Sequence, residues 1–524
     1  MKPPPWTIWL PITVFALVLL ANLPFYLSAD LIERGDQAAN ALQIERARSF
    51  DELLGPYSRF EFHHLGPITF YYLAASEILF FWVPTYLGKH LLAQFVVNLL
   101  WLAAVARLGR RLGFGPLSRV LLWFVVPLQL IALSGGTPLL LTSVWGPLVV
   151  VLPLTVFVLS AALLARGELD RLPWAALSSV VAVHNHLGTL AVVAPLSLVA
   201  VVSLVLHLRR AGGAPRGRRL AVPLLLTAFI ALLGVLPPVY EELTVVDGNL
   251  SKIAIFMGEG TGARHDGREI VQKLGHALTD PLVVFLRGTP LAHHGPLSVF
   301  GLLGGLVVAT GWAFRRADAS LRTLIVFLWF ALVCAVISAV HTRDRLMPYL
   351  FFYTYGPVAM LFVIGVAPLG EVLARKWRSR PRSPQFWALL GLLPLVWWIS
   401  THRIVPPAPR DQFERIRAQF DLRADDDLHL CVVRDEVDGG LWREATGLAL
   451  SLGREGVRVT VPDEWVFMYG EALRRGDDAP AGVLVLTRRQ SSATDPAVCD
   501  LGDFRAVFSR ESGCTAAELL AGFE

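Results

Sequence analysis

The residue types that could perform chemistry are concentrated in one polar stretch, residues 30–65, between the first two apolar runs of the chain. It begins with the carboxylates Asp30, Glu33 and Asp36. A positioned carboxylate can act as a general base toward a hydroxyl group. A solvated loop whose charges merely avoid lipid is the alternative, but polar groups at interfacial depth commonly mark a site.

The same stretch ends in cationic and imidazole side chains, and a second cationic cluster lies between two late apolar runs. Arg59, His63 and His64 belong to the first group, and Arg343 and Arg345 to the second. Such groups can stabilise negative charge that develops on a phosphate. For the late arginines, topological anchoring is the alternative interpretation.

A third polar group, His184-Asn185-His186, interrupts an otherwise apolar run over residues 172–206. Two imidazoles two positions apart suit metal ligation on an extended backbone, and a turn with helix capping is the alternative. We favour a turn, with both histidines lining a cavity. The pair His293-His294 before Gly-Pro repeats the pattern of residues 63–67, and with two copies we attribute this repeat to chance.

These groups must be positioned by membrane-spanning helices, because the mean hydropathy is +0.54 and only 17% of residues are charged. Soluble domains carry about 25% charged residues. A spanning helix needs about 20 apolar residues. Apolar runs occur near 6–29, 66–83, 90–106, 118–133, 147–165, 172–187, 188–206, 220–238, 297–314, 321–340, 346–368 and 385–400. We predict an α-helical polytopic membrane protein with about 12 spans.

Basic loops orient the later spans. The loops at 209–219, 315–322 and 375–382 are rich in arginine, and the positive-inside rule places such loops in the cytoplasm. Alternation then places the loop 239–295 and the C-terminal domain outside.

The early spans fit this orientation less well. A cytoplasmic N-terminus would place Arg107, Arg110, Arg111 and Arg119 outside, against the positive-inside rule. A re-entrant or split segment between Gly66 and Pro147 would resolve the conflict.

The C-terminal part differs from the rest in composition, since it is acidic and contains no lysine. We divide the chain into a transmembrane domain, residues 1–403, with outer loops 30–65 and 239–295, and a small soluble α/β domain, residues 404–524. In that domain the pattern predicts strands at 428–433, 457–461 and 483–487 and a helix at 441–454. The strand-helix-strand order indicates a parallel strand pair.

The four cysteines and the basic loops indicate whether the protein could bind zinc, form a disulfide or bind nucleic acid. No CxxC pattern or paired Cys/His spacing is present, which argues against a structural zinc site. A disulfide between Cys499 and Cys514 and free buried thiols both stay open. The basic loops report topology rather than nucleic-acid binding.

The order Gly35-Asp36-Gln37-Ala38, an amphipathic helix, and then His63-His64-Leu-Gly-Pro leading into Tyr71-Tyr72 resembles the start of the GT-C glycosyltransferases. This superfamily includes the lipid A aminoarabinose transferases and the protein O-mannosyltransferases. The resemblance covers about residues 1–110, and the later spans share only the architecture. Two positions depart from the pattern: the family's Asp-Glu pair reads Asp36-Gln37, and His63-His64 stands where Lys-Pro-Pro or His-Pro-Pro is expected.

The resemblance implies a transferase that moves a sugar from a polyprenyl-phosphate donor to an acceptor hydroxyl on the extracytoplasmic face of the membrane. Asp36 would then be the general base, with Asp30 and Glu33 as reserves. The donor phosphate would be bound by the cationic groups, and other side chains would line the cavity. The predicted phosphate-binding residues are His64, His63, Arg59, Arg343 and Arg345, and the predicted cavity-lining residues are Glu33, His184, His186 and Tyr57.

The implied partners are the lipid-linked donor, the bilayer, and a lipid, glycan or protein acceptor, without nucleic acid. No cofactor is expected with certainty, and a divalent metal stays open. Five lysines against 42 arginines indicate a GC-rich bacterial genome, so we expect a multi-pass protein of the bacterial inner membrane. Two rival functions are a transporter or flippase for lipid-linked saccharide and a non-catalytic membrane scaffold.

Overall fold

The structure is a computed structural model, and most of the chain is described in it. The described residues are 17, 20, 22–112, 143–210, 218–258, 265–270, 272, 273, 275, 296–342, 346–376, 411–424, 426–432, 441–474, 482–488, 497–501 and 504–510.

Helices dominate the described part of the chain. The helices used below are α1 (Asp36–Arg48), α2 (Ile68–Leu79), α3 (Tyr86–Gly109), α4 (Val151–Leu164), α5 (Leu172–Asn185), α6 (Leu190–Arg210), α7 (Arg218–Thr244), α8 (Asn249–Gly258), α9 (Pro296–Arg316), α10 (Ala319–Val340), α11 (Tyr355–Lys376), α12 (Asp411–Gln419), α13 (Trp442–Arg454) and α14 (Val466–Tyr469).

The C-terminal part contains a five-stranded sheet. Its strands are β1 (Asp427–Val432), β2 (Arg458–Thr460), β3 (Gly482–Thr487), β4 (Val498–Asp500) and β5 (Arg505–Ser509), in the order β2-β1-β3-β5-β4. Strand β1 pairs in parallel with both β2 and β3, with Leu428 opposite Val459 and Gly482. The parallel pair joined by a helix that the sequence indicated is therefore present, as β1, α13 and β2.

The chain divides into two compact units. The first, here called the membrane unit, comprises Met1–Phe25, His64–Thr69 and Leu91–Val405. The second, here called the composite unit, comprises Tyr26–His63, Phe70–His90 and Pro406–Glu524. The polar stretch after the first apolar run thus packs with the C-terminal sheet, whereas the sequence assigned it to the transmembrane domain.

The membrane unit is built from long apolar helices. Among the described residues, six helices are long and apolar enough to cross a membrane: Tyr86–Gly109, Gly146–Leu164, Leu187–Arg210, Leu220–Thr244, Ala319–Val340 and Pro348–Val366. Helix α4 lies at the centre, with all of its residues buried. The predicted spans at 118–133 and 385–400, and most of the first, lie outside the described residues, so the number of about 12 stays a prediction.

Helix α2 corrects the span predicted at 66–83. It has 12 residues and is therefore about 18 Å long, shorter than the hydrocarbon core of about 30 Å. Near its start the Tyr71 hydroxyl donates to the Glu52 carbonyl at 2.8 Å, and near its end Glu77 accepts an ion pair from Arg48 at 2.6 Å. Both ends are therefore bonded to the same polar stretch, and α2 alone is too short to span the hydrocarbon core.

The core of the composite unit is formed jointly by α1 and the sheet domain. Ala38, Ala39, Ala41 and Leu42 belong to one apolar cluster with residues of α12, α13 and the strands. Small side chains on α1 allow the neighbouring helix to approach closely. The local position of α1 is thus determined by a part of the chain about 400 residues away.

Candidate functional site

Asp36 is the first residue of α1, directly after a glycine in a left-handed conformation. Gly35 has φ 55°, and its N–H donates to the Arg443 carbonyl at 3.0 Å. A Cβ at this glycine would lie 3.0 Å from Cγ of Arg443, so both the backbone angle and the close approach favour glycine. The turn presents Asp36 at the helix N-terminus, where the helix dipole stabilises a carboxylate.

The Asp36 carboxylate is held by a tyrosine from the same polar stretch. The Tyr57 hydroxyl donates to Asp36 Oδ1 at 2.5 Å. The Tyr57 ring packs edge-on against Phe467, with 5.9 Å between the ring centroids. Because the ring is fixed by packing, the hydrogen bond orients one carboxylate oxygen of Asp36.

The pKa of Asp36 is subject to opposing effects. Burial raises the pKa of Asp36 above its ordinary value, while the hydrogen bond from Tyr57 and the positive charge of Arg443 act to lower it. Burial is the largest cause, so the net pKa is raised. A general base works best when its pKa lies near the working pH, and this shift is in that direction.

His63 and Arg59 lie in the same unit as Asp36 but have different surroundings. Nδ1 of His63 lies 3.0 Å from the Gly55 carbonyl, and His63 forms an antiparallel bridge with Tyr57. The Arg59 guanidinium lies 4.8 Å from the ring centre of Phe60. The histidine therefore supports the turn that carries Tyr57.

Glu33 and Asp30, the reserve bases, differ in environment from Asp36. The Glu33 side chain is 6% exposed, and both of its oxygens accept from Nη1 of Arg454 at 3.1 Å. Asp30 is exposed, and its backbone N–H donates to Oγ of Ser28 at 3.2 Å. Glu33 thus acts as a structural anchor in the composite unit.

Sequence reasoning missed the ion pairs that surround α1. Arg454 also donates to Glu45 at 2.7 Å, and Arg34 pairs with Glu444 at 3.1 Å. The partners are separated by 409 and 410 positions. No local sequence pattern predicts an ion pair between residues so far apart. The only available signal was the abundance of charged residues in both the polar stretch and the C-terminal domain.

In the membrane unit, three of the predicted residues converge where α5 ends. His64 Nδ1 accepts from the Leu187 N–H at 3.1 Å, and the His64 and His186 rings lie 5.4 Å apart between centroids. His184 is buried, with Nε2 lying 2.9 Å from the Gly234 carbonyl. A Cβ at Gly66 would lie 2.3 Å from the His184 ring, so the Gly-Pro turn after His64 packs directly on this imidazole.

The chain turns at His186, which has extended backbone angles of φ −157° and ψ 104°. Its Nδ1 accepts from the Gly188 N–H at 3.4 Å, and a single 3-10 turn leads into α6. The geometry matches the turn interpretation. Within the described ranges, no group of three or more metal-binding side chains is present.

Several predicted residues lie outside the described part of the chain. These are Arg343, Arg345, His293, His294 and Cys514. Cys499 is buried in the sheet domain, and the choice between a disulfide with Cys514 and free thiols stays open.

Neither a family profile nor a curated protein matches the chain. Among solved structures, it is similar to the crystal structure of ArnT from Cupriavidus metallidurans in the apo state, with a TM-score of 0.50 and 13% sequence identity. The match covers 95% of this chain and 97% of that one. The chain therefore has an ArnT-like fold along nearly its whole length, and the resemblance to GT-C glycosyltransferases indicated by its residues is confirmed at the level of the fold.

Proposed function

We propose that the protein is a membrane glycosyltransferase that moves a sugar from a polyprenyl-phosphate donor to an acceptor hydroxyl, with Asp36 as general base. The observation that carries the proposal is the Asp36 carboxylate, placed at a helix N-terminus, partly buried and oriented by Tyr57. The ArnT-like fold supports the assignment to this class of enzyme.

The reaction needs one proton acceptor and one means of stabilising a phosphate. The acceptor hydroxyl gives its proton to Asp36 while its oxygen attacks the anomeric carbon of the sugar. The bond from that carbon to the phosphate oxygen breaks, and polyprenyl phosphate leaves with the bonding electrons. Since Tyr57 donates to Oδ1, Oδ2 is the oxygen assigned to the proton.

Cationic side chains are proposed to stabilise the leaving phosphate. His63, His64 and Arg59 are assigned from the polar stretch, and Arg343 and Arg345 from the late cluster.

The proposed location is the bacterial inner membrane, with the composite unit outside. The apolar helices of the membrane unit and the ArnT-like fold support a multi-pass protein. An acceptor on the outer surface, whether lipid, glycan or protein, would then meet the face that carries Asp36.

The test is sugar transfer by the full chain reconstituted in proteoliposomes with a polyprenyl-phosphate sugar. We expect Asp36→Asn to reduce kcat by about 100-fold or more, because general-base catalysis contributes roughly that much. Asp51→Asn is the matched control, since Asp51 is an exposed carboxylate of the same polar stretch, and it should retain the wild-type rate. Unchanged turnover in Asp36→Asn would exclude Asp36 as the base.

A further inference from the structure

Helix α13 packs directly along α1 in the composite unit. Ala445, Leu448 and Ala449 of α13 share an apolar cluster with Ala38 and Ala41 of α1. The approach is close, because a Cβ placed at Gly447 would lie 2.7 Å from the Glu33 carbonyl oxygen. The two helices therefore form a single packed element.

Arg443 meets the residue before Asp36 through both its backbone and its side chain. Its carbonyl accepts from the Gly35 N–H at 3.0 Å. Its Cβ and Cγ would lie 3.4 and 3.0 Å from a Cβ on Gly35, and Cη2 of Trp442 would lie 3.3 Å away. The first turn of α1 is thus seated on the first turn of α13.

The rest of α13 fastens the flanks of α1 by ion pairs. Glu444 pairs with Arg34 at 3.1 Å, and Arg454 reaches Glu33 at 3.1 Å and Glu45 at 2.7 Å. Residues on both sides of Asp36 are therefore tied to one helix.

The charged and titratable groups on the elements packed against α1 have identifiable partners. Tyr57 bonds Asp36, and Glu52 pairs with Arg46 at 2.7 Å. On α14, the Tyr469 hydroxyl accepts from Thr446 at 3.2 Å. Glu444 and Arg454 are paired as described, so the charge on α13 that acts on Asp36 is that of Arg443.

We propose that α13 is a positioning element for the catalytic base, and that Arg443 sets the position of Asp36 through its backbone and side-chain contacts with Gly35. This inference rests on the proposed function. The C-terminal domain would then be part of the catalytic machinery by way of its support of Asp36, in addition to any contact it makes with an acceptor.

The test is the pH dependence of kcat/KM for the full chain in proteoliposomes. Arg443→Gln keeps the Cβ and Cγ that pack on Gly35 but removes the charge. We expect its acid limb to move upward, because the positive charge of Arg443 acts to lower the pKa of Asp36 and its removal would raise that pKa. Arg443→Lys should restore the wild-type acid limb.

Arg458→Gln is the matched control. Arg458 lies in the same sheet domain and is 73% exposed, paired with Asp427. Its removal should leave the pH profile unchanged. Should Arg443→Gln fail to accumulate in the membrane, Arg443→Met, which keeps the aliphatic stem, takes its place in the same measurement.

The two proposals fail in different ways. A fully active Asp36→Asn would overturn the proposed function and this inference together. An inactive Asp36→Asn combined with a wild-type acid limb in both Arg443→Gln and Arg443→Met would overturn only the positioning role of Arg443.

Discussion

The polar interactions inside the membrane unit and those inside the composite unit include bonds of very different sequence range. In the membrane unit, several hydroxyl groups bond within a helical turn: the Thr155 hydroxyl donates to the Val151 carbonyl and the Thr310 hydroxyl to the Leu306 carbonyl, each at 2.7 Å. The contact of His64 with Leu187 is a longer-range bond of the same unit. In the composite unit, Arg454 and Glu45 are separated by 409 positions. The first kind of bond follows from the local sequence, and the second exists only after remote segments have met.

The position of the candidate base, Asp36, depends on distant residues more than on its own helix. Helix α1 has no side-chain cap hydrogen bond at its N-terminus, and its apolar side chains are buried in a cluster with residues of α12, α13 and the strands. A change in α13 should therefore disturb Asp36, whereas the helices of the membrane unit should be indifferent to it.

The largest expected effect is that of Arg454→Ala. It leaves Glu33 and its 6% exposed side chain without the cation, and removal of one partner of a buried pair costs about 3–5 kcal/mol. We expect faster hydrogen exchange at the amides of α1, measured by mass spectrometry, with exchange in α10 unchanged. Equal exchange rates at the α1 amides in the variant and the wild type would show that α1 does not depend on the ion pair with Arg454.

A smaller effect is expected for Gly447→Ala. The new Cβ would lie 2.7 Å from the Glu33 carbonyl oxygen and 3.1 Å from the Phe413 ring, and such overpacking costs about 1–3 kcal/mol. We expect a lower midpoint of thermal unfolding for the composite unit. Gly453→Ala is the matched control on the same helix, because a Cβ there meets nothing within 4 Å. That control should be neutral or slightly stabilising, and a similar loss in both variants would contradict the packing argument.

The smallest effect is expected for Tyr57→Phe, which keeps the ring packed on Phe467 and removes only the hydroxyl. The hydrogen bond from Tyr57 lowers the pKa of Asp36, so its loss should raise that pKa further. Because the base works in its ionised form, the acid limb of kcat/KM should move upward. The measurement is the pH–rate profile in proteoliposomes, and a downward shift would show that the sign of the argument is wrong.

Much of the local structure could be predicted from sequence patterns. The predicted helix 441–454 corresponds to α13, and the predicted spans 147–165 and 321–340 correspond to α4 and α10. These segments are recognisable because periodicity and hydropathy are properties of consecutive residues. The glycine before Asp36 and the polar stretch around it were recognisable for the same reason.

The arrangement of the candidate site could not be predicted in the same way. The sequence predicts that Glu33 lines a cavity, which stays a prediction, but it does not reveal the ion pair of Glu33 with Arg454, 421 positions away. The sequence also predicts a span at 66–83, because apolar residues continue past Leu79 to Trp82 although the helix ends at Leu79. The ion pair is a tertiary contact, which composition does not report.

The shortness of α2 has a consequence for the path of the whole chain. If α2 enters the outer surface of the bilayer and returns, α3 is the next segment to cross after the first span. Arg107 near its end, and Arg110 and Arg111 just after it, would then lie in the cytoplasm, as the positive-inside rule requires. One crossing fewer would also make the predicted total odd, so that a chain starting in the cytoplasm would end outside. On that path, the predicted cytoplasmic position of the early arginines and the predicted outer position of the C-terminal domain would agree with a single count of crossings.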